Sequence, residues 1–434
     1  MRRESSTGAA YWFTSIALFL LLTTSGQAAV PRTKILHNFV GGSDGEFPSA
    51  SLVADAAGNL YGTTANGGVT TTCLGSKVGC GTVFELLAPK SPGGTWKEVI
   101  LYRFTGESDG ATPDASLIFD NAGNLYGTTT NGGTFDGVCG DSQIDFGCGV
   151  VFELSPNANG PWTETVIHAF TGEYGDGANP VANLVLDSLG NLYGTTELAG
   201  SCPSTCGYID GYGVAFELSP NGSGGWTETI LHQFNDGPEG SAPLAGLTFD
   251  QSGNLYGVTS SGGTSELGAV FELTPPIVQG QQWTLSVLYA FTSGGGSRGN
   301  LIFDKAGNIY GTGANGNGTV FELSPSGGGT WSESTLYEFG QGHAIEPWAG
   351  LISDKAGNLY GTTEGKFCGA VFRLQPSQGS WSEAELDFFA GQNEPCNLAA
   401  SLIFGKWGAA YGTSVAGGKC SIKNGCGTVF GILP

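Results

Sequence analysis

The sequence has little positive charge. Only 16 of its 434 residues are Lys or Arg, against 38 Asp and Glu, and the formal net charge is −22 at pH 7. Nucleic acids and anionic lipid surfaces are bound through clustered Lys and Arg. We therefore expect neither nucleic acid nor an anionic membrane surface among the partners of this chain.

Histidine is also scarce, with four residues in the chain. His37, His168 and His232 share one position of a repeat in which other copies have Tyr or Asp. An exchange of His for Tyr is typical of a half-buried packing position and not of a catalytic base. His343 lies beside Glu346 in a separate loop, which is a weak signal for chemistry. The G-x-S-x-G and H-E-x-x-H motifs of hydrolases do not occur.

The first residues have the layout of a secretory signal peptide. Two Arg precede the apolar stretch "AAYWFTSIALFLLLTT", and the small-residue segment "SGQAAV" follows it. The alternative is a membrane anchor, but the apolar stretch is short for a bilayer span. We predict a signal peptide at residues 1–29, a single domain at 30–434 without a membrane span, and secretion to the exterior or the periplasm.

Glycine is abundant, at 75 residues, and much of it lies in an internal repeat. The phrase "AGNLYGTT" at 57–64 recurs with small changes, followed by "GTVFEL"-like and Trp-led segments such as "WTETVIHAF". Repeats of about this length are typical of solenoids and propellers. Seven units align on the Tyr of the phrase, namely Tyr61, Tyr126, Tyr193, Tyr256, Tyr310, Tyr360 and Tyr411.

Each unit contains four short strand patterns separated by turn residues. Gly and Asn permit the positive φ that tight hairpin turns require. We find no sustained 3.6-residue apolar period, which argues against helices. The sequence therefore predicts an all-β, seven-bladed β-propeller with four antiparallel strands in each blade; a β-solenoid is the main alternative.

The chain ends support the propeller. The last unit stops at "GTVFGILP" without a fourth strand, while "PRTKILHNF" at 31–39 is a surplus fourth strand before the first unit. A ring needs this strand to cover the exposed edge of its last blade, whereas a solenoid does not. We predict that residues 33–39 complete the last blade by pairing with 427–433.

The series "GNLYGTT…GTVFEL…LHxFxGxxDGAxP" resembles the GloVer-type tandem repeat of bacterial exported "choice-of-anchor" proteins. The resemblance covers nearly all of residues 33–434. It implies an exported repeat protein with a propeller-like fold, and it assigns no catalytic residue.

Ten cysteines in an exported chain indicate disulfides. Zinc is a poor alternative because no His lies near any pair and a structural site needs four clustered ligands; we expect no metal site. The expected pairs are Cys73–Cys80, Cys139–Cys148, Cys202–Cys206, Cys420–Cys426 and, across one face of the ring, Cys368–Cys396.

The start of the innermost strand of each blade should line the channel mouth. The residues there carry no charge, which argues against a central calcium-dependent lactonase-type site. Ser and Asn in this column could still bind a neutral polar ligand or water. The column is Ser51, Ser116, Asn183, Gly246, Asn300, Gly350 and Ser401.

Two long connections, 131–149 and 197–213, belong to adjacent units and are rich in acids and aromatics. Aromatic faces beside carboxylates suit sugar rings; the alternative is a pair of stapled surface loops without a ligand. We expect no cofactor, and calcium is only weakly suggested because no calcium-loop spacing occurs. The candidate ligand-binding residues are Phe135, Asp136, Asp145, Phe146, Tyr208, Asp210 and Tyr212.

From these patterns we expect a monomeric, exported binding module for a glycan or another envelope component. A polysaccharide-active enzyme, either a lyase or a glycosidase, on the same face is the alternative. A purely structural surface protein is the third interpretation.

Overall fold

Strands make up nearly all of the regular structure. Within the described part of the chain the one helical element is a 3-10 turn, Lys406–Gly408, and no helix there is long and apolar enough to cross a bilayer. The predicted signal peptide lies outside the described residues. The computed structural model describes residues 32–68, 73–74, 78–134, 146–158, 160–173, 175–200, 211–278, 280–340, 344–365, 367–391, 393–420 and 425–433.

Seven four-stranded antiparallel sheets form the blades of a propeller, as predicted. In each sheet the order in space follows the order in sequence, from a short inner strand to a long outer one, except in blade 7. Blade 1 contains Val53–Ala54, Leu60–Thr64, Thr82–Leu87 and Lys97–Arg103, and blade 2 contains Ile118–Phe119, Leu125–Thr129, Val150–Ser155 and Thr163–Ala169. Blade 3 contains Val185–Leu186, Leu192–Thr196, Val214–Pro220 and Trp226–Gln233, and blade 4 contains Thr248–Phe249, Leu255–Val258, Ala269–Thr274 and Thr284–Ala290. Blade 5 contains Ile302–Phe303, Ile309–Gly313, Thr319–Gly327 and Thr330–Glu338, and blade 6 contains Ile352–Ser353, Leu359–Thr363, Ala370–Ser377 and Ser380–Phe388. Blade 7 contains Ile403–Phe404, Ala410–Ser414 and Thr428–Leu433, with Arg32–Asn38 as its outermost strand.

Blade 7 is completed by the N-terminal strand. Arg32–Asn38 pairs antiparallel with Thr428–Leu433, in a register that runs from Arg32 opposite Leu433 to Asn38 opposite Thr428. This confirms the predicted ring closure. The pairing removes the free edge that the last sheet would otherwise expose.

The repeated phrase builds the turn between the inner and second strands. In blade 1 the carboxylate of Asp55 accepts hydrogen bonds from the backbone N–H and the side-chain amide of Asn59, at 2.8 and 2.9 Å. The same Asp–Asn pair occurs in blades 1 to 6. In blade 7 Gly405 takes the place of Asp, and the ring of the almost fully buried Tyr411 packs against it. The phrase is therefore scaffold.

Neighbouring blades are joined through buried phenylalanines. The Phe that follows each outer strand meets the Phe of the next blade's third strand, with ring centroids 5.0–5.7 Å apart and most pairs edge to face. Such contacts add to the burial of large apolar side chains. The pairs are Phe39–Phe84, Phe104–Phe152, Phe170–Phe216, Phe234–Phe271, Phe291–Phe321, Phe339–Phe372 and Phe389–Phe430.

Three of the expected disulfides are present, namely Cys73–Cys80, Cys368–Cys396 and Cys420–Cys426. Cys148 is also disulfide-bonded. Its expected partner, Cys139, and the expected pair Cys202–Cys206 lie outside the described residues.

Candidate binding site at the channel mouth

A ring of threonines holds the inner strands around the channel. In six blades the fourth residue of the second strand is a Thr that donates to a backbone carbonyl just before the next blade's inner strand; blade 4 has Val258 there. These bonds fix the inner strands relative to one another. The pairs are Thr63–Ala115, Thr128–Ala182, Thr195–Ala245, Thr312–Ala349, Thr362–Ala400 and Thr413–Ala50, at 2.8–3.5 Å.

Six residues of the predicted column line a central cavity of about 580 Å³, namely Ser51, Ser116, Asn183, Asn300, Gly350 and Ser401. Its polar side chains also connect neighbouring blades: Ser116 accepts from the backbone of Ser51 at 3.0 Å, and Asn300 from that of Gly246 at 2.8 Å. A Cβ on Gly246 would lie 2.8 Å from two oxygens of Asn183. Crowding therefore explains why this column is small, and its hydrogen bonds are partly used in holding the ring together.

The ring departs from its repeat two residues earlier in each blade. Asp114 of blade 2 and Arg298 of blade 5 line the same cavity and lie three places apart in the ring of seven, so they are on opposite sides of the channel. The channel-mouth column predicted from the sequence begins with Ser51 and does not include this position. The signal was present, because the position varies fully among blades: Ser49, Asp114, Val181, Leu244, Arg298, Trp348 and Ala399.

Asp114 supplies the negative side of the mouth. The Ser49 hydroxyl donates to its carboxylate at 2.6 Å. Burial raises the pKa of Asp114, while the nearby hydroxyls of Ser49 and Thr130 oppose that rise. The Ser49 hydrogen bond holds the Asp114 carboxyl in place from the preceding blade.

Arg298 supplies the positive side. Its exposed guanidinium lies over the Trp348 ring, with Cζ 4.5 Å from the ring centre, a cation–π geometry. The Nε1 of Trp348 is buried and has no hydrogen-bond partner. Burial raises the pKa values of Glu197 and Glu364, and the charge of Arg298 opposes both shifts. The arrangement offers a cation above an aromatic ring at the channel mouth.

The rim residues predicted from sequence stay mostly untested. Phe135, Asp136, Asp145, Tyr208 and Asp210 lie outside the described residues. Phe146 is 49% exposed. Tyr212 is half-buried and packs against the apolar core of its blade. A shared aromatic wall formed by loops 131–149 and 197–213 remains a prediction.

Comparison with known proteins gives a family and a fold. The model of the Gloeobacter/Verrucomicrobia repeat matches residues 22–209 and 204–430. No curated protein matches. Three similar solved structures are a Dyadobacter fermentans protein of unknown function, a PQQ-bound aldose sugar dehydrogenase from Streptomyces coelicolor and the NanB sialidase from Streptococcus pneumoniae.

The identities to these structures are 10%, 11% and 11%, and the TM-scores are 0.45, 0.40 and 0.40, respectively. The matches cover 93%, 94% and 92% of this chain and 99%, 99% and 70% of the other chains. At these scores none of them bears on activity.

Proposed function

Because this chain belongs to the Gloeobacter/Verrucomicrobia repeat family, and because the varied residues of its ring meet at one channel mouth, we propose that it is an exported binding module for a glycan. The ligand site is the mouth lined by Asp114 and Arg298. The observation that carries the proposal is this opposed pair on a ring that is otherwise nearly repetitive.

The chemistry of the mouth suits a saccharide. Binding pockets combine a few placed polar groups with apolar or aromatic walls. Asp114 accepts hydrogen bonds from sugar hydroxyls, Arg298 donates to hydroxyls or to a sugar carboxylate, and Val181 and Leu244 add apolar surface to the same cavity. A charged donor or acceptor of this kind contributes about 1.5–3 kcal/mol per hydrogen bond.

Export is supported by the disulfides. Persistent disulfides are typical of oxidising compartments outside the cytosol, and Cys73–Cys80, Cys368–Cys396 and Cys420–Cys426 staple loops of this ring. This supports the secretion that the leader-like residues 1–29 predict.

A glycan array on residues 30–434, followed by calorimetry on each hit, tests the proposal. Arg298→Gln and Asp114→Asn should each lower the affinity for a glycan found on the array about tenfold or more, because each removes a charged hydrogen-bonding partner. Lys305→Gln is the matched control, since Lys305 is an exposed cation in the turn at the other end of its inner strand. Affinity that is unchanged in both site variants, or an array without a hit, would refute the proposal.

A glycosidase or lyase is the second candidate, and one observation favours it. The backbone N–H of Glu364 donates to the carbonyl of Glu346 at 3.1 Å. Burial raises the pKa of Glu364, with the Glu346 charge adding to the shift, as a general acid requires. Incubation of a bound glycan should release product if this candidate is correct, and Glu364→Gln should abolish product while leaving binding intact.

A further inference from the structure

The repeated His position of the outer strand meets carboxylates at the junctions between blades. His37 of blade 7 faces Asp44, in the connection to blade 1, and Glu98 of the blade 1 outer strand. His168, Asp176 and Glu228 form the same cluster between blades 2 and 3. We call these the two His–Asp–Glu clusters.

The geometry of the two clusters is nearly identical. At the first, His37 Nε2 is 3.6 Å from Asp44 Oδ2 and 3.5 Å from Glu98 Oε1. At the second, His168 Nε2 is 3.5 Å from an Asp176 oxygen and 3.6 Å from a Glu228 oxygen. In each cluster the three ligand atoms lie within 4.8 Å of one another.

These spacings leave the buried atoms without hydrogen bonds. His37 Nε2, Glu98 Oε1, His168 Nε2 and Glu228 Oε1 are all inaccessible to solvent and have no hydrogen-bond partner. An unsatisfied buried polar atom costs about 1–3 kcal/mol, more when charged. Glu164 Oε1, at the same position opposite Tyr102, is also without a partner. At the two His junctions, however, an unpartnered imidazole nitrogen and an unpartnered carboxylate oxygen face each other, which leaves room for a group that binds both.

At two other junctions at least one of the three side chains of the His–Asp–Glu cluster is replaced, and the residue at the His position makes a direct hydrogen bond. Blade 4 has Leu285 in place of the outer-strand Glu, and there His232 makes a direct 3.0 Å hydrogen bond to Glu239. Between blades 1 and 2, Tyr102 replaces His and its hydroxyl donates to Asp109 at 3.0 Å. Among the described junctions that contain His, the longer nitrogen-to-oxygen distances of 3.5–3.6 Å occur where an imidazole meets two carboxylates.

We propose that each His–Asp–Glu cluster binds one divalent transition-metal ion, with zinc the best fitted. A tetrahedral site with bonds of about 2.0–2.1 Å has ligand-to-ligand edges of about 3.4 Å, close to the observed nitrogen-to-oxygen distances. Imidazole favours zinc, copper, iron or nickel over calcium and magnesium. One nitrogen and two oxygens leave the fourth position to water.

In both clusters the Asp ligand is held in position by backbone hydrogen bonds. The backbone N–H of Thr171 donates to Asp176 Oδ2 at 2.8 Å, and that of Gly177 donates to Asp176 Oδ1 at 2.7 Å. The backbone N–H of Val40 donates to Asp44 at 2.7 Å and holds that ligand in position.

The first cluster would strengthen the closure of the ring. His37 lies on the N-terminal strand, whereas Asp44 and Glu98 belong to the connection and the outer strand of blade 1. An ion bound by all three ties the closing strand to the first blade. The ligands are 7 and 61 positions from His37, so no compact motif reveals the site. The sequence therefore predicts no metal site here.

The test uses the mature chain stripped with chelator and titrated with zinc chloride by calorimetry. We expect two zinc ions per chain and a higher melting temperature with zinc. His37→Tyr and His168→Tyr should each lower the stoichiometry to one, and the double variant should bind none. Tyr is chosen because Tyr102 already fills this position at a neighbouring junction.

The matched control is His232→Tyr, which changes the same repeat position at a junction with one carboxylate and should leave two ions bound. Cobalt at the clusters should give the visible absorption of a tetrahedral site. Melting in chelator shows that each variant folds. The proposal is wrong if the stripped chain binds no zinc at micromolar concentrations. It is equally wrong if folded His37→Tyr and His168→Tyr chains keep two ions, which would place the zinc elsewhere.

Discussion

The hydroxyl of Thr413 donates a 2.8 Å hydrogen bond to the backbone carbonyl of Ala50, although 363 positions separate the two residues. This bond joins blade 7 to blade 1 beside the channel. On the outside of the ring, the pairing of Arg32–Asn38 with Thr428–Leu433 joins the same two ends of the chain. The ring is therefore closed twice, once near its axis and once at its rim.

Thr413→Val should lower the free energy of unfolding by about 1–3 kcal/mol, because it leaves the buried Ala50 carbonyl without its donor. Denaturant titration measures the change. The exposed Thr227→Val on an outer strand is the control and should change stability by less than about 0.5 kcal/mol. Equal effects of the two substitutions would show that the inner bond contributes nothing specific to closure.

Gly246→Ala should destabilise the ring by about 1–3 kcal/mol, as overpacking commonly does. The added Cβ would lie 2.8 Å from the backbone and side-chain oxygens of Asn183. Gly340→Ala is the control, because a Cβ there meets nothing within 4 Å. If thermal melting gives both variants the same transition, the channel is less crowded than described.

Removing disulfides should have an effect that depends on the length of the loop they close. Cys368–Cys396 spans 28 positions and Cys73–Cys80 spans 7. A disulfide that closes a longer loop removes more entropy from the unfolded chain. Replacing both cysteines of the first pair with Ser should therefore lower the free energy of unfolding by about 1 kcal/mol more than replacing those of the second pair. Denaturant titration of the two double variants compares these costs. Non-reducing peptide mapping checks the pairing, and a free thiol at any of these positions would contradict it.

Stability should fall with rising pH in part through Glu164. Burial raises the pKa of Glu164 to about 7 from an ordinary value of 4.5, with the Asp109 charge adding to the shift. Between these values the folded state binds more protons than the unfolded state, so the free energy of unfolding decreases as pH rises. Glu164→Gln should therefore be more stabilising at pH 8 than at pH 5.

Denaturant titrations across this range, with chelator present, measure the Glu164 effect. The exposed Glu107→Gln removes the same charge from a solvent-facing position of the neighbouring connection and is the control. An advantage of Glu164→Gln that stays constant with pH would mean that this carboxyl titrates normally in the folded protein.

The rim loops offer a separate test of where the ligand binds. If loops 131–149 and 197–213 form part of the site, Phe146→Ala and Tyr208→Ala should weaken glycan binding by a few kcal/mol with little change in melting temperature. Asp210→Asn tests the need for charge there, and added calcium tests whether that charge binds metal. Loss of affinity in Arg298→Gln with none in these three variants would confine the site to the channel mouth.

The repeat in the sequence determined the number of blades, the four strands in each and the Asp turn. These features depend on neighbours within a few residues, so the same phrase produces the same structure each time. The ring closure could also be predicted, because one missing strand and one surplus strand match in pattern. The positions of the cysteines in the repeat likewise predicted Cys73–Cys80, Cys368–Cys396 and Cys420–Cys426.

Only the tertiary structure decided which of the varied residues meet. Arg298 and Trp348 come from different blades, and each His–Asp–Glu cluster draws on two blades and the connection between them. Their distances depend on how neighbouring blades pack, which no periodic pattern encodes. Asp114 and Arg298 line one cavity because the ring closes after seven units. The variation of their repeat position is visible in the sequence, but the packing that brings the two residues to one channel mouth is not.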